Sequence, residues 1–128
     1  MLATKRKRMI TEEQADDFAK DWIASWNAHD LDRVMSHYDN NVEYYSMFLL
    51  KLTDNQTGML QGKDNVKQYL AKGLDAYPDL QFKLLNVFLG VASVTLHYES
   101  VNNLIAAEVF EINNQGVASR VQCHYYQS

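Results

Sequence analysis

The sequence lacks several features that would define its class. Its 128 residues include one cysteine, Cys123, so no disulfide forms within the chain, and we expect a reducing, cytoplasmic environment. No stretch approaches the roughly 20 apolar residues that span a bilayer, so we predict no membrane partner. The five glycines are scattered, which excludes a phosphate-binding loop, and no residues have metal-ligand spacing. We therefore predict no cofactor and no metal.

Basic charge is also scarce outside one short run. The run from Lys5 to Arg8 holds four of the 12 basic residues, which leaves 8 against 16 acidic ones, a balance of −8, in the rest of the chain. An acidic body does not attract nucleic acid, so we predict no nucleic-acid partner. We interpret residues 1–10 as a disordered basic tail, with a targeting or nucleic-acid patch as the alternative. Residues 11–128 are predicted to form a single domain.

Three helices are predicted in the first 80 residues. Thr11 and Gln14 form a capping box that starts the first helix. Its apolar residues recur at helical spacing on one stripe: Ala15, Phe18, Ala19, Trp22, Ile23 and Trp26. Asp30 is a cap for a short second helix. The third helix starts at Asp64 and ends before Pro78, because proline cannot continue a helix.

The rest of the chain predicts strands. Residues 42–47 include the β-branched Val42 and the aromatic Tyr44 and Tyr45, which favours a strand. The last third of the chain alternates through four more strands. The alternation slips by one residue near Leu84 or Leu85, which indicates a β-bulge. Asn102 and Asn103 fit a two-residue hairpin turn, because asparagine tolerates positive φ. Helices followed by an antiparallel meander predict the α+β class.

Four segments carry a family resemblance: residues 26–32 (WNAHDLD), 38–45 (YDNNVEYY), 58–64 (GMLQGKD) and 110–117 (FEINNQGV). Their order and spacing resemble the nuclear-transport-factor-two-like superfamily, in its SnoaL-like and ketosteroid-isomerase-like branch. The resemblance implies a curved antiparallel sheet wrapped around three N-terminal helices, forming a cone with a central pocket. The superfamily includes isomerases, cyclases, hydrolases, dehydratases and non-catalytic interaction domains, so its fold alone does not settle the function.

The resemblance also places individual residues. Ketosteroid isomerases use an aspartate base and an oxyanion hole made of a tyrosine and a protonated aspartate. The matching positions here are Ser46 for the base, Trp22 for the tyrosine and Glu108 for the second aspartate. SnoaL-like cyclases carry an aspartate near the end of the last strand, where this chain has His-Tyr-Tyr-Gln at 124–127. Since only Glu108 keeps a carboxyl group, the resemblance implies different chemistry or none.

The central hairpin offers a different pair of residues. With a two-residue turn at Asn102 and Asn103, His97 lies directly opposite Glu108, and opposed residues share one face of a sheet. A buried carboxyl group beside an imidazole suits acid/base chemistry near neutral pH, so we predict His97 and Glu108 as catalytic residues. The alternative is a structural polar pair without chemistry. A register shift of one residue would turn His97 outward.

The matched positions and the apolar faces of the predicted elements also give a ligand-binding set. Aromatic and aliphatic residues of this kind line pockets for flat, apolar ligands. The predicted ligand contacts are Trp22, Tyr44, Ser46, Leu70, Phe110, Val121, Cys123 and Tyr125. The alternative is that these residues are ordinary core.

Two functions remain open at this point. The first is binding of a small, largely apolar molecule, with cofactor-independent isomerase, cyclase or hydrolase activity and with residues 48–58 as a candidate lid. The second is a non-catalytic homodimeric or protein-interaction domain. For either function we expect a homodimer through the outer face of the sheet. To that outer face we assign Val94, Leu96, Tyr98, Ile105 and Val109.

Overall fold

The structure is a computed structural model that describes residues 9–127, so residues 1–8 of the predicted tail lie outside the described residues. Ile10, which we assigned to the tail, is part of the fold. Its backbone N–H donates to the Val91 carbonyl oxygen at 3.0 Å, and its side chain packs against the core.

Four α-helices occur within residues 9–127: α1 (Glu12–Asn27), α2 (Leu31–Met35), α3 (Met47–Leu52) and α4 (Lys63–Ala76). The six strands of the same region are β1 (Tyr38–Tyr45), β2 (Met59–Gln61), β3 (Lys83–Leu89), β4 (Ser93–Glu99), β5 (Leu104–Ile112) and β6 (Ala118–Gln127). A short 3₁₀ turn, Val101–Asn103, joins β4 to β5. The three predicted helices correspond to α1, α2 and α4.

The helix starts follow the local sequence. The capping box of α1 is confirmed, because Thr11 Oγ1 accepts the Gln14 N–H at 3.1 Å and Gln14 Oε1 accepts the Thr11 N–H at 3.0 Å. Asp30 caps α2 by accepting the Arg33 N–H at 3.1 Å. The additional helix α3 is capped by Ser46, whose hydroxyl accepts the Phe48 N–H at 3.2 Å.

The sheet is curved and unclosed, and the predicted α+β cone is confirmed. Its strand order is β2-β1-β6-β5-β4-β3. Every neighbouring pair of strands is antiparallel except β1 and β6, which run parallel. The prediction of a wholly antiparallel sheet is therefore wrong at this one pair. The helices pack on the inner face, where the apolar core lies.

One predicted irregularity of the sheet is confirmed. Leu84 pairs with Tyr98, whereas the next paired residue of β3, Asn86, lies opposite His97. Leu85 is therefore the extra residue of a β-bulge, as the change in alternation indicated.

The predicted turn between β4 and β5 is wrong by one residue. The loop has three residues, 101–103, and it closes through the Ser100 N–H, which donates to the Leu104 carbonyl oxygen at 2.7 Å. Asn102 and Asn103 both adopt positive φ, at 55° and 61°. This longer loop shifts the register by one residue, and such a shift exchanges the two faces of a strand.

This register shift changes which residues of β4 lie on the inner face of the sheet. Leu96 lies opposite Glu108, and His97 lies opposite Ala107. Val94, Leu96 and Tyr98 are buried on the inner face, not on the outer face where we expected them. Ile105 and Val109 remain on the outer face and are half-buried. The apolar residues of β4 therefore belong to the core and are not available for a dimer interface.

Candidate active site

A cavity of about 340 Å³ lies between the inner face of the sheet and helices α1, α3 and α4. Its wall is rich in aromatic side chains: Trp22, Trp26, Tyr44, Phe48, Tyr69, Tyr77, Phe82, Tyr98 and Tyr125. A cavity of this size falls within the range that small-molecule sites occupy. Glu108 is the one acidic residue of this wall, within the described part of the chain.

Glu108 lies on the inner face of β5 and is only 3% exposed. The Tyr98 hydroxyl, on β4, donates a hydrogen bond of 2.7 Å to Glu108 Oε1. Cys123, directly opposite on β6, contributes a second side-chain hydrogen bond. Burial raises the pKa of Glu108 to about 7, and the hydrogen bonds from Tyr98 and Cys123 oppose that rise. The carboxyl group can therefore either donate or accept a proton near neutral pH.

Neutral hydroxyl groups surround this carboxyl group. Burial, reinforced by the negative charge of Glu108, raises the pKa of Tyr38, Tyr44, Tyr98 and Tyr125 well above its ordinary value. These phenols remain protonated at neutral pH. None of the ion pairs within residues 9–127 includes Glu108. The site therefore holds one titrating carboxyl group among hydrogen-bond donors and apolar rings.

Aromatic packing fixes the position of Tyr98. Its ring lies 5.3 Å from the ring of Trp22 and 4.9 Å from that of Phe82, measured between centroids. Trp22 is held in turn, because its Nε1–H donates to the Tyr38 hydroxyl at 3.0 Å. Helix α1, strand β1 and Phe82, which precedes β3, therefore position the phenol on β4 that contacts Glu108.

The predicted ligand contacts divide into two groups. Four line the cavity with Glu108: Trp22, Tyr44, Leu70 and Tyr125. The other four lie outside the cavity wall: Ser46, Phe110, Val121 and Cys123. Ser46 caps α3, and Phe110 and Val121 are fully buried in the core. Cys123 does not line the cavity, but its side chain forms hydrogen bonds with three residues that do: Glu108, Tyr44 and Tyr125.

The predicted pairing of His97 with Glu108 is wrong. His97 lies on the outer face of β4, where its Nδ1 is 3.0 Å from the side-chain nitrogen of Asn86. Leu96 lies directly opposite Glu108, and the neighbouring residue Tyr98, which is opposite Ala106, makes the side-chain contact with Glu108 that we expected of His97. A sequence signal for Tyr98 did exist, because Val94, Leu96 and Tyr98 form the more apolar alternating set of β4. Assigning that set to the core would have placed Tyr98 beside Glu108.

The mouth of the cavity lies between α3, the end of α4 and the turn between β4 and β5. Phe48 on α3 packs against Tyr125, with ring centroids 4.7 Å apart, and Leu52 is 73% exposed. Lys72 and Tyr77, on the last turns of α4 and just after it, line the opposite side and are exposed. Phe48, Leu52 and Thr53 therefore line one side of the cavity.

A second cavity, of about 460 Å³, lies between the start of α1 and the turn joining β5 to β6. Its wall includes Phe18, Ile112 and one ionisable residue, Asp17, which is exposed. Although this cavity is larger, it offers no buried titrating group. The cavity around Glu108 is therefore the candidate active site.

The described residues lack both a metal-ligand cluster and a membrane-spanning helix. Within residues 9–127, no group of three or more histidine, cysteine or carboxylate side chains is arranged to hold a metal ion. No helix of the same residues combines the length and the apolar character required to cross a bilayer.

The sequence profile of the SnoaL-like domain matches residues 19–124. The chain is a member of the SnoaL-like family. A SnoaL-like protein of unknown function from Burkholderia thailandensis is 34% identical and superposes with a TM-score of 0.90, covering 93% of this chain and 99% of that one. Among the curated proteins, none matches this chain significantly.

More distant solved structures share the fold. A proposed ketosteroid isomerase from Kribbella flavida has a TM-score of 0.66 at 16% identity, covering 91% of this chain and 80% of that one. A proposed hydroxylase from Streptomyces galilaeus has a TM-score of 0.70 at 17% identity, covering 91% of each chain. At such identities the likeness concerns the fold and not the chemistry.

Proposed function

We propose that this protein is a cofactor-independent proton-transfer enzyme that binds a small, largely apolar molecule in the cavity around Glu108. Glu108 is the proposed acid/base group, and Tyr98 orients it. The observation that carries the proposal is the buried Glu108 carboxyl group, which forms a 2.7 Å hydrogen bond with Tyr98 in the wall of a cavity of substrate size.

The arrangement supports a simple cycle. The Glu108 carboxylate takes a proton from a carbon or hydroxyl group of the substrate, and the resulting carboxylic acid returns the proton at a second position. Neutral phenols in the cavity wall, such as Tyr44 and Tyr125, stabilise negative charge that develops on a substrate oxygen. Isomerisation and cyclisation need no more than this cycle. In hydrolysis a water molecule is the nucleophile: Glu108 takes its proton as the water oxygen bonds to the substrate, and returns that proton to the substrate oxygen whose bond breaks. A structural relative that is proposed to be a ketosteroid isomerase is compatible with this range.

The test is a search for proton exchange. The protein is incubated in deuterated water with a panel of cyclic enones, steroids, polyketide-like ketones and epoxides, and mass spectrometry follows deuterium uptake and product formation. Active compounds should lose at least about 100-fold in rate with Glu108→Gln, which is typical of a lost acid/base group. The pH–rate profile should show an apparent pKa near the value of about 7 for Glu108.

Glu111→Gln is the matched control. Glu111 is on the same strand, but it faces outward, where it lies 3.8 Å from Arg120. Its replacement should leave the rate unchanged. A reaction that proceeds equally well in Glu108→Gln and wild type would contradict the proposed role of Glu108.

A homodimeric or protein-interaction domain is the second candidate function. Large apolar side chains on the outer face and at its edge favour it, since Phe88 is 56%, Val91 69% and Tyr126 64% exposed. Ile105 and Val109 lie on the same outer face. Light scattering on wild type and on Phe88→Glu tests the homodimer: a dimer that Phe88→Glu dissociates would support it, and a wild-type monomer at high concentration would contradict it.

A further inference from the structure

We propose that the ligand of the Glu108 cavity is a hydrophobic organic cation: an apolar body that carries an amine or quaternary ammonium group. In this arrangement Glu108 is the counter-charge and the aromatic wall surrounds the cationic group. The inference rests on the binding part of the proposed function and specifies the class of the ligand.

The first support is a carboxyl group without a cationic partner. A buried carboxylate is costly unless a positive charge or several hydrogen bonds compensate it. Glu108 has hydrogen bonds from Tyr98 and Cys123, but it takes part in none of the ion pairs of residues 9–127. Lys72, the basic residue of the cavity wall, is exposed on α4 at the mouth. A cationic ligand would supply the charge that the protein does not.

The second support is the environment that each neighbouring element presents to Glu108. The groups with which it interacts are Tyr38 and Tyr44 on β1, Tyr69 on α4, Tyr98 on β4, and Cys123 and Tyr125 on β6. All of these are neutral at neutral pH, because burial raises the pKa of each one. An anionic ligand would therefore meet only the like charge of Glu108, whereas a cation would meet an opposite charge at low dielectric.

The third support is the aromatic wall itself. The faces of tryptophan, tyrosine and phenylalanine rings attract cations, and ring-lined cages commonly bind ammonium groups. On the outer surface, the Arg120 guanidinium already lies 5.1 Å from the ring centroid of Tyr45. No such contact occupies a cavity ring among the described residues. Among the described residues, no side chain therefore supplies a cation to these rings.

The test compares two probes of the same shape and different charge. Phenyltrimethylammonium is the cation, and tert-butylbenzene is its neutral counterpart. Protein-detected NMR titrations give the dissociation constant of each probe. At about pH 8.5, where Glu108 is ionised, the cation should bind about ten-fold more tightly than the neutral probe. Because the quaternary ammonium does not titrate, the loss of this preference at about pH 5.5 would report the protonation of Glu108.

Variants separate the possible outcomes. Glu108→Gln should bind both probes about equally at every pH, whereas Glu111→Gln should keep the wild-type preference for the cation. Equal binding of both probes by the wild type at about pH 8.5 would overturn the cation inference and leave the proposed binding function in place. Failure of both probes to bind the folded wild type would overturn the inference and count against the proposed binding function as well. If Glu108→Gln does not fold, the pH dependence of the cation preference in the wild type tests the inference: a preference that is the same at about pH 5.5 and about pH 8.5 would overturn it.

Discussion

Two carboxyl groups of this protein, Glu108 in the cavity and Asp21 on the outer side of α1, have opposite surroundings. The Asp21 side chain is 47% exposed and contacts two basic residues: Arg33 Nη2 at 2.6 Å and His37 Nε2 at 2.8 Å. Its hydrogen bond with Arg33, partly opposed by burial, holds its pKa below the ordinary value of 3.8. Glu108 is buried, contacts phenols and a thiol, and has a raised pKa.

The difference separates a structural carboxylate from a candidate functional one. Asp21 is charged at all physiological pH values, and its partners are already in place, so it has little capacity to exchange a proton. Glu108 changes its charge near neutral pH and lacks a cationic partner within the described residues. A group held in this way costs stability, and such costs are typical of active sites.

The largest expected effect is on the pH dependence of stability in Glu108→Gln. The folded-state pKa of Glu108 is raised from 4.5 to about 7. The stability that this shift contributes is therefore fully present below pH 4.5 and is lost as pH rises to about 7. That loss amounts to about 3 kcal/mol of unfolding free energy. Glutamine cannot ionise and still accepts the Tyr98 hydrogen bond, so the variant should keep this stability at pH 8. Urea unfolding at about pH 5 and about pH 8 measures the difference.

Glu111→Gln again serves as the control, because Glu111 lies on the outer face of the same strand. It should follow the wild-type pH dependence. If Glu108→Gln also follows it, Glu108 is not desolvated as the structure indicates.

A smaller effect is expected from Tyr98→Phe, which removes the hydroxyl that donates to Glu108. Hydrogen bonds to charged groups contribute more than neutral ones, so we expect a loss of about 2 kcal/mol above pH 7 and less below it. Because the Tyr98 hydrogen bond lowers the pKa of Glu108, its removal should raise that pKa further. Carboxyl titration by NMR measures the shift, and Tyr126→Phe, at an exposed tyrosine, is the control. An unchanged Glu108 titration in Tyr98→Phe would show that the hydrogen bond is not formed in solution.

The sequence predicted best what depends on neighbouring residues. The capping box at Thr11, the cap at Asp30 and the bulge at Leu85 all arise from short-range hydrogen bonds or from side-chain alternation. The family resemblance then supplied the cone and the inward position of Glu108. Local signals therefore gave the elements, and the resemblance gave their arrangement.

The residue that contacts Glu108 could not be found in the same way. The pairing of β4 with β5 depends on whether the turn has two residues or three, and Asn102 and Asn103 are compatible with either. The parallel contact of β1 with β6 joins residues about 80 positions apart in the chain, for example Tyr38 and Ala118, and no local pattern encodes it. The cavity emerges from these long-range contacts, and only four of the eight ligand contacts predicted from the sequence line its wall.

For the exposed carboxylate of Asp21, the expected effect on stability is smaller than the effect of Tyr98→Phe. Asp21→Asn removes the charge that pairs with the exposed Arg33 and with His37, whose side chain is buried. Exposed pairs contribute no more than about 1 kcal/mol, and we expect a loss of that order because Asp21 itself is 47% exposed. Because the pKa of Asp21 is lowered, its contribution is present above pH 3.8 and is lost as pH falls below that value. Unfolding at about pH 7 in low and in high salt measures the effect, which salt should reduce. A loss that is independent of salt and pH would indicate packing instead of charge.

The smallest effect is expected next to the site, at His97. His97 and Tyr98 are adjacent in β4 but lie on opposite faces, and His97 contacts Asn86 on the outer face. His97→Ala should therefore change stability by no more than about 0.5 kcal/mol, as is usual for surface substitutions, and it should leave the Glu108 titration in place. Parallel NMR titrations of His97→Ala and Tyr98→Phe compare the two faces directly. If His97→Ala moves the Glu108 titration and Tyr98→Phe does not, the register is the one first predicted from the sequence, with His97 inside the cavity.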